Sequence, residues 1–388
     1  MRSNTSYDLI VVGAGIIGAS AAWHAMQAGL RTLILDAAGP AAGASGASDG
    51  AVSVATKKPG MMTSLACEAL RYAKELSAPG GVLNRCFSNR PSYIFATHPR
   101  EISAIDSLVE TLSQPGLPVT AKADTTGASA GLKGLGRAVQ RVIQLEGEGH
   151  MTGYGATVAF VRGSKADVRW PCQVNAFETS DKGIAVSTSL GIFFASRLLI
   201  ANGLGASELV PDLPILPRSG QLIVTDRNTP AAFTAPQGSM TSAVYLLDKT
   251  SRLSLTGLPA PVVIDPLATG QLLIGSSREE GGHPSKTDFR TVRRILQSAV
   301  TCLPAVSGLR IIRVFAGVRA ACQDGMPIVG PLRDFPNVSV AAGFEGDGIC
   351  LAPLIGRELV RTLTGVSPQV RLDALSPDRF NGQRASVG

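Results

Sequence analysis

The sequence predicts an α/β fold in two domains: one has a mixed parallel sheet flanked by helices, and the other is an α+β domain built on an antiparallel sheet. Three observations support this prediction. The chain has 388 residues, more than one hydrophobic core usually holds, so about two domains are expected. It opens with a strand, a glycine-rich turn, a helix and a second strand. Its central part instead carries short alternating segments, which are typical of antiparallel strands.

The opening segment is a β-α-β unit. Tyr7–Val12 is rich in β-branched residues and predicts a strand, an alanine-rich helical stretch runs to about Ala28, and Thr32–Leu35 predicts a second strand. The motif GAGIIG at 13–18 joins the first strand to the helix. This arrangement is the context in which a GxGxxG motif indicates a Rossmann-like dinucleotide-binding domain.

Each glycine of this motif has a mechanical task. Gly13 is expected to make the tight turn, Gly15 lets backbone amides approach a pyrophosphate, and Gly18 lets the helix pack closely on the strand. The helix N-terminus then faces the negative charge of the pyrophosphate. Asp36 closes the second strand, where its carboxylate can accept hydrogen bonds from an adenosine ribose; the alternative is a surface acid at a strand end. The motif alone does not separate NAD from FAD.

The remaining elements follow from periodicity and turn residues. Residues 37–56 are too rich in glycine, alanine and serine for a strand. Helices are expected around 63–76, at 101–112 and at 289–303, strands across 168–200, and antiparallel strands at 221–225, 243–248 and 271–276. The predicted domains are a dinucleotide-binding domain of residues 1–90, 150–215 and 310–388, and a substrate-binding domain of residues 91–149 and 216–309.

Composition excludes several classes of function. The net charge is +7, but the lysines and arginines are scattered, so no nucleic-acid partner is expected, because a phosphate-tracking surface needs clustered cations. The cationic excess can serve anionic small molecules instead. Only 17% of residues are charged, below the usual value of about 25%; a subunit interface and a large monomeric core explain this equally well. No apolar stretch has the roughly 18 residues of a transmembrane segment.

The six cysteines lie far apart and form no CxxC pair. No metal site is therefore expected, and scattered cysteines in a long chain indicate reduced, buried thiols and a cytoplasmic location. The polar N-terminus leads straight into the first strand, so no signal peptide is expected.

Four segments resemble the D-amino-acid oxidase and glycine oxidase family of flavoproteins, which includes sarcosine oxidase, D-amino-acid dehydrogenase and the flavin subunits of opine oxidases. They are YDLIVVGAGIIGASAAWHAMQAGLRTLILD at the start, RLLIANGLGA near residue 200, VFAGVRAACQDGMPIVGP, and NVSVAAGFEGDGICLAPLIGREL. They occur in the family's order and span nearly the whole chain, which makes the match far more specific than the glycine motif alone.

The resemblance implies that the dinucleotide is FAD. Besides the glycine motif and Asp36, it implies contacts from the run GASGASDGAV and from the segment AGFEGDGI, where backbone amides and a helix N-terminus would face the flavin pyrimidine. Glu345 and Asp347 depart from the residues usual in the family. The expected FAD contacts are Gly13, Ala14, Gly15, Ile16, Ile17, Gly18, Asp36, Ala37, Gly43, Ala44, Ser45, Ser48, Gly50, Ala51, Val174, Ala201, Asn202, Gly203, Gly343, Glu345, Gly346, Asp347, Gly348 and Ile349.

The resemblance also implies two catalytic residues. Arg319 in AGVRA matches the arginine that binds the substrate carboxylate, a task for which the rigid guanidinium fork is suited. Tyr245, placed in a predicted strand AVYLLD, matches a tyrosine that donates to the same carboxylate. Some relatives attach FAD through a cysteine, but Gly317 stands at that position and Cys322 lies beyond it, so FAD is expected to be non-covalent.

The implied reaction is hydride transfer from an amine-bearing carbon to flavin N5, followed by hydrolysis of the imine. The substrate would be a small amino acid or a secondary-amine amino acid such as an opine. The chain would then resemble the flavin subunit of a hetero-oligomeric opine oxidase or D-hydroxyproline dehydrogenase, with electron-transfer partner subunits. The alternatives are a self-sufficient D-amino-acid or glycine oxidase and a non-catalytic FAD-binding subunit.

Overall fold

A computed structural model describes residues 6–124, 132–227, 235–250, 259–281 and 286–380. The strands are β1 (Tyr7–Val12), β2 (Thr32–Leu35), β3 (Ala51–Val52), β4 (Phe87–Asn89), β5 (Ser92–Ala96), β6 (Thr120–Asp124), β7 (Arg141–Glu146), β8 (Gly149–Met151), β9 (Asp167–Arg169), β10 (Val174–Ser180), β11 (Gly183–Thr188), β12 (Gly191–Ile200), β13 (Ile215–Arg227), β14 (Met240–Ser242), β15 (Val263–Pro266), β16 (Gln271–Gly275), β17 (Glu279–Glu280), β18 (Ile311–Cys322), β19 (Ile328–Leu332) and β20 (Phe335–Ala342). The helices are α1 (Ile16–Gln27), α2 (Met61–Leu76), α3 (Pro99–Leu112), α4 (Gly153–Ser164), α5 (Ala206–Leu209), α6 (Val244–Thr250), α7 (Phe289–Cys302) and α8 (Gly348–Leu363).

The first sheet contains the opening strand. Across the described ranges it has eight strands in the order β10-β11-β12-β1-β2-β9, with β20 beside β12 and β19 beside β20. Strand β1 runs parallel to β2 and β12, and β12 runs parallel to β20. The carboxyl ends of these parallel strands therefore meet at one edge, which is where open α/β sheets bind their ligands.

Helices cover this sheet. The central strand β1 is almost wholly buried, and the main apolar core lies between the sheet and helices α1, α2 and α8. Gly356 allows α8 to cross α1 closely, since a Cβ there would lie 2.4 Å from Ser20 Oγ and 2.8 Å from Ser20 C. The mixed parallel sheet with flanking helices is the architecture predicted from the sequence.

The second sheet is largely antiparallel. In the described part of the chain it has nine strands in the order β17-β13-β16-β15-β14-β5-β7-β6, with β18 paired to β13. Helix α7 packs on it over a separate apolar core. Strand β18 comes late in the chain yet pairs with β13 from Ile215↔Cys322 to Thr225↔Ile311. This long pairing links the two sheets, because β20 of the first sheet follows shortly after β18.

The segment 243–248, predicted as a strand, is instead part of α6 and the turn before it. The strand prediction was wrong because the alternation in AVYLLD is too short to identify a strand: Ala243, Val244 and Leu246 are all buried, so both faces of the segment are covered. Tyr245 therefore lies on a short helix. A smaller difference is the two-residue strand β3 within the region 37–56, where no strand was predicted.

The other predicted helices are confirmed within a few residues, as α2, α3 and α7. Of the six free cysteines five are buried, and Cys86 is half-buried. Over the residues that the structure covers, none of the helices is both long and apolar enough to cross a membrane, and no cluster of histidine, cysteine and carboxylate side chains has the arrangement of a metal site.

Candidate active site

A cavity of about 610 Å³ lies at the carboxyl edge of the first sheet and extends to the second sheet. Strands β1, β2, β12 and β20 reach it with their last residues or the residues that follow, and β13, β15 and β18 form the opposite wall. It brings together most of the predicted site: Gly13, Gly15, Ile16, Ile17, Asp36, Ala37, Gly43, Ala44, Ser45, Ser48, Ala51, Val174, Ala201, Asn202, Gly203, Tyr245, Arg319, Gly343, Glu345, Gly346, Asp347, Gly348 and Ile349.

Three predicted contacts, Ala14, Gly18 and Gly50, are not on the cavity wall but behind it. Gly18 has no room for a side chain, because a Cβ would lie 2.0 Å from the Gly13 oxygen. Gly50 has a φ of 82° and a Cβ there would lie 2.6 Å from His150 Nε2. Gly18 and Gly50 thus allow close packing next to the wall.

The glycine turn is held from two sides. Gly13 has a φ of 107°, and a Cβ on it would lie 2.5 Å from the Ala201 oxygen, so only glycine fits without strain. The amide of Ile16, the first residue of α1, donates to Ser45 Oγ at 2.9 Å. The loop around Ser45 is thereby fixed against the helix N-terminus, where a phosphate is favoured.

Asp36 has a structural task as well as a place on the cavity wall. Its Oδ2 accepts the amide of Ala14 at 2.7 Å, and its Oδ1 accepts the amides of Ala38 at 2.8 Å and Gly39 at 2.6 Å. A carboxylate has about four acceptor positions, so one remains for a ligand hydroxyl. Asp36 therefore orients the glycine turn and faces the cavity with the same group.

A buried ion pair that sequence reasoning missed lies near the start of α8. Lys57 Nζ is 2.9 Å from Asp347 Oδ1, and the two side chains are only 3% and 12% exposed. Burial is the largest single cause and acts to lower the pKa of Lys57, but the charge and hydrogen bond of Asp347, with the charges of Cys350 and Glu148, together raise it, so Lys57 keeps its positive charge. Lys57 also lines the cavity, so its charge, balanced by that of Asp347, is held at the α8 end.

Glu345 faces the second sheet. It has a φ of 49°, its amide donates to the Ala320 oxygen at 2.7 Å, and its carboxylate pairs with Arg218 at 3.0 Å and with Arg278. Its carboxylate thus binds two arginines at the second sheet, of which Arg278 lines the cavity.

Arg319 and Tyr245 meet at one serine. Arg319 donates to Ser276 Oγ at 2.6 Å and to the Ser277 oxygen at 3.2 Å, while the Tyr245 hydroxyl accepts the Ser276 amide at 3.1 Å and donates to its carbonyl. Gly220 gives the guanidinium room, because a Cβ there would lie 2.8 Å from Arg319 Nη1. The two predicted catalytic residues, from a strand and a helix, are therefore joined through Ser276.

The segment around Gly317 packs tightly against the loop between β2 and β3. A Cβ on Gly317 would lie 2.7 Å from the Ala47 Cβ, so no side chain fits at the position where some relatives carry the attachment cysteine. Cys322 is 5% exposed and does not line the cavity. Burial raises the pKa of its thiol to about 11, which keeps it protonated and unreactive.

The cavity has the features that a bound dinucleotide needs. Gly13 and Gly15 line the cavity without side chains, which permits the close approach that a pyrophosphate requires. Asn202, on the wall, has a buried Oδ1 with no hydrogen-bond partner among the described residues, and a buried acceptor normally has one. These residues fit a dinucleotide.

Sequence reasoning missed several polar residues of the wall, among them Asp49, Lys57, Ser276 and Arg278. Asp49 lies inside the run GASGASDGAV, which was identified by its resemblance to the family's cofactor-binding loop, without a role for this aspartate. Ser276 and Arg278 lie at the end of a predicted strand without a motif of their own. Part of the central region, residues 228–234 and 251–258, lies outside the described residues.

Comparison with known proteins gives the same assignment. Residues 8–362 match the family described as DAO, FAD dependent oxidoreductase. A glycine oxidase of Bacillus licheniformis is 22% identical over 377 residues, covering 92% of this chain and 93% of its own. The glycine oxidase of Geobacillus kaustophilus superimposes with a TM-score of 0.84 at 20% identity, over 96% of this chain and 98% of that one.

Two further solved structures share the fold. An L-proline dehydrogenase from P. horikoshii has a TM-score of 0.84 at 17% identity, with 97% and 98% coverage of this chain and that chain. An iminodiacetate oxidase from Chelativorans sp. BNC1 has a TM-score of 0.79 at 20% identity, with 95% and 98% coverage. The family match extends over most of the chain, and the chain belongs to the DAO family of FAD-dependent oxidoreductases.

Proposed function

We propose that the protein oxidises a small α-amino acid with a primary or secondary amine, removing two hydrogens across the C–N bond and releasing the product after hydrolysis of the imine. The observation that carries this proposal is the group formed by Arg319, Ser276 and Tyr245 in the same cavity as the glycine turn. A guanidinium beside a hydroxyl donor is suited to a carboxylate, and a carboxylate with an adjacent amine is the common feature of amino acids.

The FAD would lie along the cavity. Gly13, Gly15 and Ser45 would surround the pyrophosphate, Asp36 would accept from the adenosine ribose, and the segment 343–349 would hold the flavin. When bound, FAD supplies the acceptor for the hydride. The chain's own residues orient the substrate. The Lys57–Asp347 ion pair holds two opposite charges beside the N-terminus of α8. FAD is proposed to be non-covalent.

The names of related proteins support an amino-acid substrate: glycine oxidase, L-proline dehydrogenase and iminodiacetate oxidase. A finer version of the proposal is an opine, a secondary amine with several carboxylates, because Arg278 is a second guanidinium on the cavity wall. We also propose that the protein works in a hetero-oligomer with electron-transfer subunits and that it is cytoplasmic. We propose further that its two domains divide at residues 90, 150, 215 and 310.

Flavin absorbance under argon tests it. Purified holoprotein is mixed with glycine, sarcosine, D- and L-proline, iminodiacetate and an opine, and bleaching of the visible flavin band is followed. We expect at least one amino acid to bleach the flavin, and the corresponding amine without a carboxylate to fail. Bleaching by iminodiacetate or the opine alone would select the finer version. A flavin that none of these compounds bleaches would favour the non-catalytic FAD-binding subunit.

A further inference from the structure

Asp49 lies in the loop that connects β2 to β3, and both its backbone and its side chain are held. Its main-chain oxygen is 3.0 Å from His150 Nε2, and its Oδ1 accepts the amide of Ala51 at 3.1 Å. His150 is itself buried, with Nε2 3.2 Å from Asp265 Oδ2, and Arg90 binds the other oxygen of that carboxylate. The main chain at Asp49 is therefore held by the buried His150, which lies against the Arg90–Asp265 pair.

The loop places Asp49 at the Arg319 end of the cavity. Asp49, Tyr245 and Arg319 all line the wall, and Ala47, two residues before Asp49, packs against Gly317, two residues before Arg319. Burial is the main cause that raises the pKa of the Tyr245 hydroxyl; the positive charge of Arg319 acts to lower it and the negative charge of Asp49 acts to raise it. Both charges thus act on the same hydroxyl.

Asp49 differs from the two cavity-lining acids beside the start of α8. Glu345 is paired with Arg218 and Arg278, and Asp347 is paired with Lys57. Asp49 is only partly exposed and, over the described ranges, forms no ion pair with a lysine, arginine or histidine. A partly buried carboxylate is stabilised by a cation, and here a ligand can supply one.

We propose that Asp49 binds the protonated amino group of the substrate, so that Asp49 and Arg319 together recognise both charges of an α-amino acid zwitterion. The inference rests on the proposed function and adds a residue that determines specificity. A 2-hydroxy acid has the carboxylate for Arg319 but no cation for Asp49. The site therefore distinguishes amino acids from hydroxy acids of the same shape.

Paired ligands test this inference on the holoenzyme. The pairs are glycine with glycolate, and D- or L-proline with the matching enantiomer of tetrahydrofuran-2-carboxylate, in which oxygen replaces the ring nitrogen. Binding at neutral pH under argon is measured from the flavin absorbance, as a perturbation of the band or from the concentration dependence of its bleaching. We expect the wild type to bind an amine at least about tenfold more tightly than its oxygen partner, since the loss of a charge-assisted contact lowers affinity by about tenfold or more.

Asp49→Asn retains the acceptor for Ala51 and removes the charge. We expect it to bring the amine-to-oxygen affinity ratio close to one, through weaker binding of the amine alone, while Asp49→Glu keeps the preference. Asp181→Asn, in the exposed turn between β10 and β11, is the matched control and should keep the wild-type ratio. Arg319→Ala should instead weaken both members of a pair, which separates failure of the proposed function from failure of this inference.

The inference is overturned if Asp49→Asn keeps the wild-type ratio, or if the wild type binds amines no better than their oxygen partners or does not bind them. The wild-type ratio is informative even if Asp49→Asn fails to retain FAD. A general loss of affinity in Asp49→Asn with an unchanged ratio would show a structural role only.

Discussion

The two ends of the cavity are built in different ways. At the adenosine end, Gly13, Gly15 and Asp36 come from one continuous β-α-β unit, and Asp36 bonds back to Ala14 within that unit. At the substrate end, Tyr245, Ser276 and Arg319 come from segments that are far apart in the chain. Strand β13 pairs with both β18 and β16, and this brings Arg319 next to Ser276. The first end is determined by local sequence and the second by long-range pairing. Substitutions at the adenosine end should therefore change FAD retention, and substitutions at the substrate end should change turnover.

The largest effect is expected at the substrate end. Arg319→Ala removes the carboxylate partner and should lower kcat/KM for any amino-acid substrate by at least about thirty-fold, because truncating one member of a desolvated charge pair costs about 2 to 5 kcal/mol. Arg319→Lys keeps the charge without the fork and should also lose rate. FAD content should stay normal in both variants. An Arg319→Ala enzyme that is reduced at the wild-type rate would mean that the carboxylate is held elsewhere.

Gly18→Ala should disturb the adenosine end next most strongly. The added Cβ would lie 2.0 Å from the Gly13 oxygen, so α1 and the turn must separate, at a cost of about 3 kcal/mol, the upper range for overpacking. We expect a lower thermal midpoint and a loss of most bound FAD. Gly308→Ala is the control, since nothing lies within 4 Å of a Cβ there. Equal FAD content in the two variants would contradict the close packing of turn and helix.

Asp36→Ala should weaken FAD binding by about one to two orders of magnitude, since losing a charge-assisted hydrogen bond costs about 1.5 to 3 kcal/mol. The order of preference among substrates should not change, because Asp36 is at the other end of the cavity. The matched control is Asp8→Ala, which also removes an acceptor of a backbone amide but lies outside the cavity. Equal FAD affinity in wild type and Asp36→Ala would remove Asp36 from the site.

The smallest effect is expected at Cys322. FAD should copurify and be released into the supernatant on acid precipitation, because Gly317 leaves no thiol at the attachment position and Cys322 is buried. Cys322→Ser should leave flavin content and release unchanged. Flavin that stays with the wild-type pellet and is released from the Cys322→Ser protein would show a covalent link.

The comparison also explains which predictions succeeded. The strands Tyr7–Val12 and Thr32–Leu35 were predicted with their bounds, because their apolar runs are flanked by clear turn signals. The strand prediction at 243–248 failed because a short apolar run buried on both faces has no usable period. The hydrogen bonds of Asp36 with Ala38 and Gly39 were also missed. One carboxylate can accept from backbone amides and from a ligand, and the sequence pattern indicates only the ligand.

By itself, the sequence determined the glycine turn, the parallel strands around it and, through resemblance, the family. These features depend on residues that are neighbours in the chain, where steric limits on the backbone act directly. Only the tertiary structure decided that Asp49 and Ser276 lie in one cavity with Arg319, that Glu345 pairs with Arg218 and Arg278, and that Lys57 is buried against Asp347. Polar contacts of this kind join residues distant in sequence, and their geometry depends on how two sheets pack, which no local pattern encodes.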